Sequence, residues 1–172
     1  MATLDKPRVF FGILDDLPIL ALKGQVRYIN AHGIRRFVDE MLVHESDVPM
    51  VLDLRELEAI DSTGLGLLAH VGRTTLTRGH RTSIVCSNHD ILICLRSVAF
   101  DTMFRVLEEW PFPTEADMAE IELDERRPIP SMMGQIILEA HRDLAEVSEH
   151  NRLEWGGVIS ALEADLAIVE HR

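Results

Sequence analysis

Residues Ile60-Asp61-Ser62-Thr63-Gly64-Leu65-Gly66 place a hydroxyl beside a carboxylate, immediately ahead of a glycine and an apolar run. A short polar side chain at such a point suits two roles. It caps a helix, or it presents a hydroxyl to solvent as a nucleophile or phosphoacceptor. Hydrolases of the elbow type need G-x-S-x-G, and Ile60 stands where the first glycine belongs. Spacing alone leaves capping and regulatory phosphorylation of Ser62 equally open. Asp61 is similarly divided between a carboxylate that a kinase or a phosphatase metal could read and a carboxylate that complements the helix dipole.

Other chemistries find no home. The eight histidines, at positions 32, 44, 70, 80, 89, 141, 150 and 171, form no HExxH or comparable ligand pairing, so each reads as a surface or capping residue and no metal is expected. There is no G-x-x-x-x-G-K-[ST], and Gly64-Leu65-Gly66 alone is too short for a dinucleotide fingerprint. A phospho-aspartate receiver would use acids such as Asp15, Asp16 and Asp53 but also a late lysine, and the only lysines are Lys6 and Lys23. Without a nucleophile–base pair, no enzyme and no cofactor are expected.

The elements that must hold Ser62 follow from periodicity. Val9–Leu14 and Pro18–Lys23 read as two strands around a tight turn at 15–17. From Asn30, a plausible N-cap, the apolar positions Ile34, Phe37, Val38, Met41 and Leu42 mark one helical face. Met50–Leu54 fits a buried central strand, Arg55–Ile60 a connection, and Leu65, Leu68, Ala69, Gly72 and Leu76 a helix ended by Gly79. Arg81–Cys86 gives another strand and Asn88–Ser97 a short helix. This alternation predicts an α/β fold, one sheet layered with helices, over residues 1–112. Four of the seven prolines fall at 111, 113, 128 and 130, so 113–130 reads as a linker.

Residues 131–172 differ in character. Met133, Ile137, Ala140, Leu144 and Val147 step by heptad spacing, as do Trp155, Ile159, Leu162, Leu166 and Val169. The two seams are one residue out of register, with Gly156-Gly157 near the join, which favours a helical hairpin over one long helix. These helices either cover the sheet domain or each other, or they offer a homodimer or partner surface.

Composition sets the outer limits. At 172 residues and 47% hydrophobic, the chain can bury a core. Residues 1–114 carry 15 acidic and 12 basic side chains and residues 115–172 carry 14 and 5, so nine of the twelve excess negative charges lie in the last third. Such a balance argues against direct nucleic-acid binding. Cys86 and Cys94 match neither a zinc nor a CxxC spacing. No stretch approaches the roughly 18 apolar residues of a membrane span, and no signal-peptide run opens the chain, so a cytoplasmic protein is expected.

The run Val51-Leu52-Asp53-Leu54-Arg55-Glu56-Leu57-Glu58-Ala59-Ile60-Asp61-Ser62-Thr63-Gly64-Leu65-Gly66-Leu67-Leu68 resembles the signature of STAS domains, named for sulphate transporters and anti-sigma factor antagonists, with D-S-[ST]-G-L-G its most specific part. The resemblance spans about residues 8–112 and leaves the C-terminal extension uncovered. It implies a STAS-like mixed β-sheet packed by helices in a bacterial anti-sigma factor antagonist. In that family the serine after the aspartate, here Ser62, is phosphorylated by a kinase that doubles as an anti-sigma factor, and a PP2C-type phosphatase removes the phosphate. Thr63 is the weaker phosphoacceptor, and Asp61, Ser62, Thr63, Gly64 and Leu65 are the implied partner-binding residues. The rival implication is a STAS-type scaffold or ligand-binding module, such as a stress-sensing or lipid-transport accessory, in which Ser62 is structural. One departure stands out: the family's acidic G-E-[LVI]-D is replaced by Gly24-Gln25-Val26-Arg27, where Arg27 could reach Asp61 or a phosphate on Ser62, or simply stand exposed.

Overall fold

The computed structural model describes residues 6–45, 47–124 and 126–170; Met1–Asp5 of the expected sheet domain and the last two residues of the helical extension, including His171, lie outside them. The hairpin predicted at the start is present. Strands β1 (Arg8–Leu14) and β2 (Leu17–Val26) pair antiparallel from Arg8↔Lys23 to Leu14↔Leu17. Their two-residue turn puts Asp15 at φ 48° and Asp16 at φ 64°. Positive φ at both centres matches the twist of the flanking strands, and aspartate tolerates that region better than most side chains.

Helix α1 (Ala31–Glu45) buries Ile34, Val38, Met41 and Leu42. Asn30 does not cap it in the expected way: its Oδ1 accepts from the Arg27 amide and its Nδ2 donates to the Gln25 carbonyl, so it closes the preceding turn. Strand β3 (Val51–Asp53) lies parallel to β2, and β5 (Ser83–Val85) and β6 (Arg105–Leu107) continue outward in parallel.

Besides β6, two strands fall where none was expected. β4 (Leu57–Ile60), within the predicted connection, runs parallel to the far end of β2 after a register shift at Gly24/Gln25, where Gly24 takes φ 76°. β7 (Met118–Ile121), within the predicted linker, pairs antiparallel with β1. The sheet order is β6-β5-β3-β2-β1-β7, with β4 paired to β2 off that path. Sheet structure therefore continues past residue 112.

Alternation along the strands loads both faces of the sheet. Leu20, Leu22, Leu52 and Ile84 join the main core with α1, α2 (Ser62–Thr77), α3 (His89–Ser97) and the Phe100 and Phe104 rings around α4 (Phe100–Met103). Their neighbours Ile19, Val51 and Val85 face a smaller cluster closed by Leu107, Trp110, Phe112 and Met118. The proline-rich segment is thus a lid on the second face. Arg55 fixes it, lying 4.4 Å over the Trp110 ring and bonding both Asp53 and Glu115.

The extension is the predicted hairpin, but its join is elsewhere. Helices α5 (Pro130–Ala145) and α6 (Glu149–Glu170) meet at 146–148, and Gly156-Gly157 lies inside α6. Ser148 accepts the Asn151 amide at the start of α6, the capping signal that marks the true turn. Buried Asn151 donates from Nδ2 to the carbonyls of Val98 and Leu144, tying the turn to the end of α3.

Candidate functional site at the start of helix α2

Asp61 is the N-cap of α2, with extended backbone at φ −98°, ψ 179°. Its carboxylate is fully used: Oδ1 accepts the Gly64 amide at 2.9 Å, and Oδ2 accepts the Tyr28 amide at 2.7 Å. One side chain thereby locks the helix start to the β2–α1 loop. A cap of this kind contributes about 1 kcal/mol, and the second bond adds to it.

Behind the cap the chain is packed closely. A Cβ on Gly64 would lie 2.7 Å from Ile60 Cγ1 and 3.0 Å from Val26 Cγ1, so only glycine lets α2 begin where β2 and β4 end. Thr63, Gly64 and Leu65, expected to face a partner, are buried here, while Asp61 and Ser62 are half-buried. Arg27 reaches neither Asp61 nor Ser62 in the bonds it forms; its Nε donates to Gln25 Oε1.

Ser62 is not left to solvent. Its Oγ lies 3.1 Å from Nε2 of His141 on α5. Nδ1 of the same ring lies 2.7 Å from the Ile137 carbonyl. A carbonyl only accepts, so Nδ1 carries a proton, and in the tautomer with that proton alone Nε2 is the acceptor and Ser62 donates. His141 is 5% exposed and packs edge-on against Trp155 of α6 at 5.2 Å. The expectation that every histidine is a surface or capping residue fails at this position. His141 adjoins Ala140 in the α5 seam, the one signal in the sequence that it faces a packed surface.

Helix α5 lies directly on α2. A Cβ on Gly66 would come within 2.2 Å of the Ala140 carbonyl oxygen and 2.7 Å of its Cα, so the two backbones touch there. Beside the crossing, Asp143 accepts from Arg73 at 2.5 Å and faces His70 Nδ1 at 3.5 Å and Arg35 at 3.6 Å. His70 Nε2 meets Asp39 at 2.9 Å. Burial alone would lower the His70 pKa, but hydrogen bonds to Asp143 and Asp39 outweigh it and hold the value above the ordinary one. Burial would raise the Asp39 pKa, yet the bond from His70 and the Arg35 charge hold it below.

Elsewhere, a cleft of about 620 Å³ lies between the start of α1 and residues 120–128. Of the cations that line it, Arg8 and Arg126 are paired with Glu120 and Asp124. Among the described residues no cluster of histidine, cysteine or carboxylate side chains is arranged to hold a metal, and no helix is long and apolar enough to cross a membrane.

Comparison with known proteins adds a family and a fold. The STAS domain family profile matches residues 12–118. A comparison with curated protein sequences finds no match. The crystal structure of an anti-sigma factor antagonist from Mycobacterium paratuberculosis superposes with a TM-score of 0.56 at 14% identity, covering 63% of this chain and 92% of its own. TM1081 of Thermotoga maritima, a candidate anti-sigma factor antagonist, gives 0.49 at 23% identity, covering 58% of this chain and 85% of its own. The match by profile takes in more than half of the chain, including β2, β3, β4 and the whole Asp61–Gly66 turn into α2. The chain belongs to the STAS domain family.

Proposed function

We propose that the protein is an anti-sigma factor antagonist that works by partner switching at Ser62. In the unphosphorylated form it binds an anti-sigma factor that is also a serine kinase, so that a sigma factor is freed. Phosphorylation of Ser62 ends that binding, and a PP2C-type phosphatase restores it. The observation that carries this reading is the placement of Ser62 as the first residue of α2, next to a carboxylate cap that fixes the helix start.

A phosphate there adds about −1.5 to −2 charge at neutral pH. The positive end of the α2 dipole can stabilise it. A partner lying over the same turn would have to bury that charge unpaired, which costs several kcal/mol, and each 1.4 kcal/mol is about tenfold in affinity. The switch needs no catalytic residue in this chain.

The test compares binding of the cognate regulator by Ser62→Ala and Ser62→Asp: the alanine form should bind and the aspartate form should bind at least about tenfold more weakly. Equal binding would falsify the proposal. A second reading is favoured by the His141–Ser62 hydrogen bond, which gives the serine a structural task in a scaffold or ligand-binding module. Intact-mass measurement on protein from its own cells separates the two. An added mass of about 80 Da at Ser62 supports the switch, and its absence in every growth state supports the scaffold.

A further inference from the structure

We infer that helix α5 is a built-in occupant of the Ser62 face, held there by the unmodified hydroxyl and released with α6 when Ser62 carries a phosphate. Three observations converge. The α5 and α2 backbones are in contact at Gly66 and Ala140, so nothing else fits between them. The hydroxyl of Ser62 serves the buried Nε2 of His141, whose other nitrogen is committed to Ile137. Asp143 draws α5 toward Arg73, Arg35 and His70 on the neighbouring helices.

The hydrogen bond is the sensitive part of this arrangement. Phosphorylation removes the proton that Ser62 donates, and the ester oxygen left behind can only accept. Nε2 of His141 would then face a second acceptor 3.1 Å away, beside a dianion, with its own ring buried. The contact that the hydroxyl completes is therefore the one that the phosphate breaks. The same logic bounds any external partner: it must displace α5, and it fits best as a helix with a small residue where it crosses Gly66 and an acceptor opposite Ser62.

The inference rests on the proposed phosphorylation of Ser62 for its occasion, but its test uses neither kinase nor partner. Phosphoserine is incorporated at position 62 of the full chain, and amide hydrogen exchange is compared with that of the unmodified protein. Amides of α5 facing α2 should lose protection by roughly five- to a hundredfold, the cost of one buried acceptor left without its donor, while those of β2, β3 and β5 keep theirs. Unchanged protection overturns the inference. So does increased protection, which a protonated His141 pairing with the phosphate would give, and so does loss across the whole sheet.

A second pair of variants probes the same contact without a phosphate. Asp143→Arg should release α5 by setting a cation against Arg35, Arg73 and His70, and adding Arg73→Glu should restore much of its protection. A double variant as exposed as the single one counts against the docking geometry. If α5 is released by phosphoserine while regulator binding ignores Ser62, only the proposed function fails. If binding depends on Ser62 while α5 stays in place, only this inference fails.

Discussion

Gly66→Ala separates the stability of α2 from the docking of α5, because the two respond in opposite directions. Alanine is favoured over glycine within a helix by about 1 kcal/mol, and α2 is helical whether α5 is docked or not. Taken alone, the substitution stabilises the sheet domain. The added methyl, however, would lie 2.2 Å from the Ala140 carbonyl oxygen and 2.5 Å from its carbonyl carbon. Both are backbone atoms of a helix, and no side-chain rotation relieves the overlap. Overpacking of this kind costs about 1–3 kcal/mol, all of it charged to the docked state. The docking equilibrium should therefore shift by about five- to 150-fold toward release. Native-state hydrogen exchange reads this directly: amides of α5 exchange faster, while those of β3 and β5, buried under the main core, exchange at the wild-type rate or slower. If α5 keeps full protection in the Gly66→Ala protein, the close approach of the two helices is not the constraint described here, and the account of α5 as an occupant of this face loses its steric basis.

Two further outcomes follow from the same contacts. Asp61→Ala removes the acceptor for both the Gly64 and Tyr28 amides and should cost about 1–2 kcal/mol in urea denaturation, with Asp61→Asn intermediate because it keeps one acceptor oxygen. His70, facing Asp39 and Arg35 on α1 and Asp143 on α5, has a pKa raised above its ordinary 6.5, so its contribution is fully present below that value and is lost as pH rises through the higher folded one. Denaturation midpoints at about pH 5.5 and about pH 8 should differ more in the wild type than in His70→Gln, and equal differences would remove His70 from the account.

Much of the frame was legible because it rests on local signals. The β1–β2 hairpin, α1, α2 and α3 follow from strand alternation, helical spacing, the Asn88 cap and the φ 84° glycine at Gly79. β4 and β7 were not legible, and for a common reason: each is four residues long with a glutamate inside it, too short and too interrupted to show the apolar pattern that marks a strand. Their identity comes from partners, β2 and β1, that the local sequence does not name. The site divides in the same way. Asp61 as a cap and Ser62 as the first helical hydroxyl are local facts. The hydrogen bond from Ser62 to His141 spans 79 positions, and nothing in the α5 heptad states which surface its seam will meet.

The uneven charge of the chain gains a different meaning from these contacts. An excess of nine negative charges after residue 114 resembles a surface kept for outside partners, yet the pairs Arg8–Glu120, Arg36–Asp124, Arg55–Glu115, Arg35–Glu139 and Arg73–Asp143 all run from a base in the first part to an acid in the second. The exposed pairs among them are individually weak, about 0–1 kcal/mol each, so those do not hold the fold together. Their shared direction matters more. It sets the register in which the last third returns to the sheet domain, and Asp143, the best shielded of these acids, sits where that register brings Ala140 over Gly66 and His141 over Ser62. The acids left over lie mainly on α6, whose outer side also exposes Leu153, Val158 and Ile168. On α6, Glu163 bonds Arg142 of α5, so the two helices of the extension are tied to each other as well as, through Asp143, to the sheet domain, as expected if α6 travels with α5.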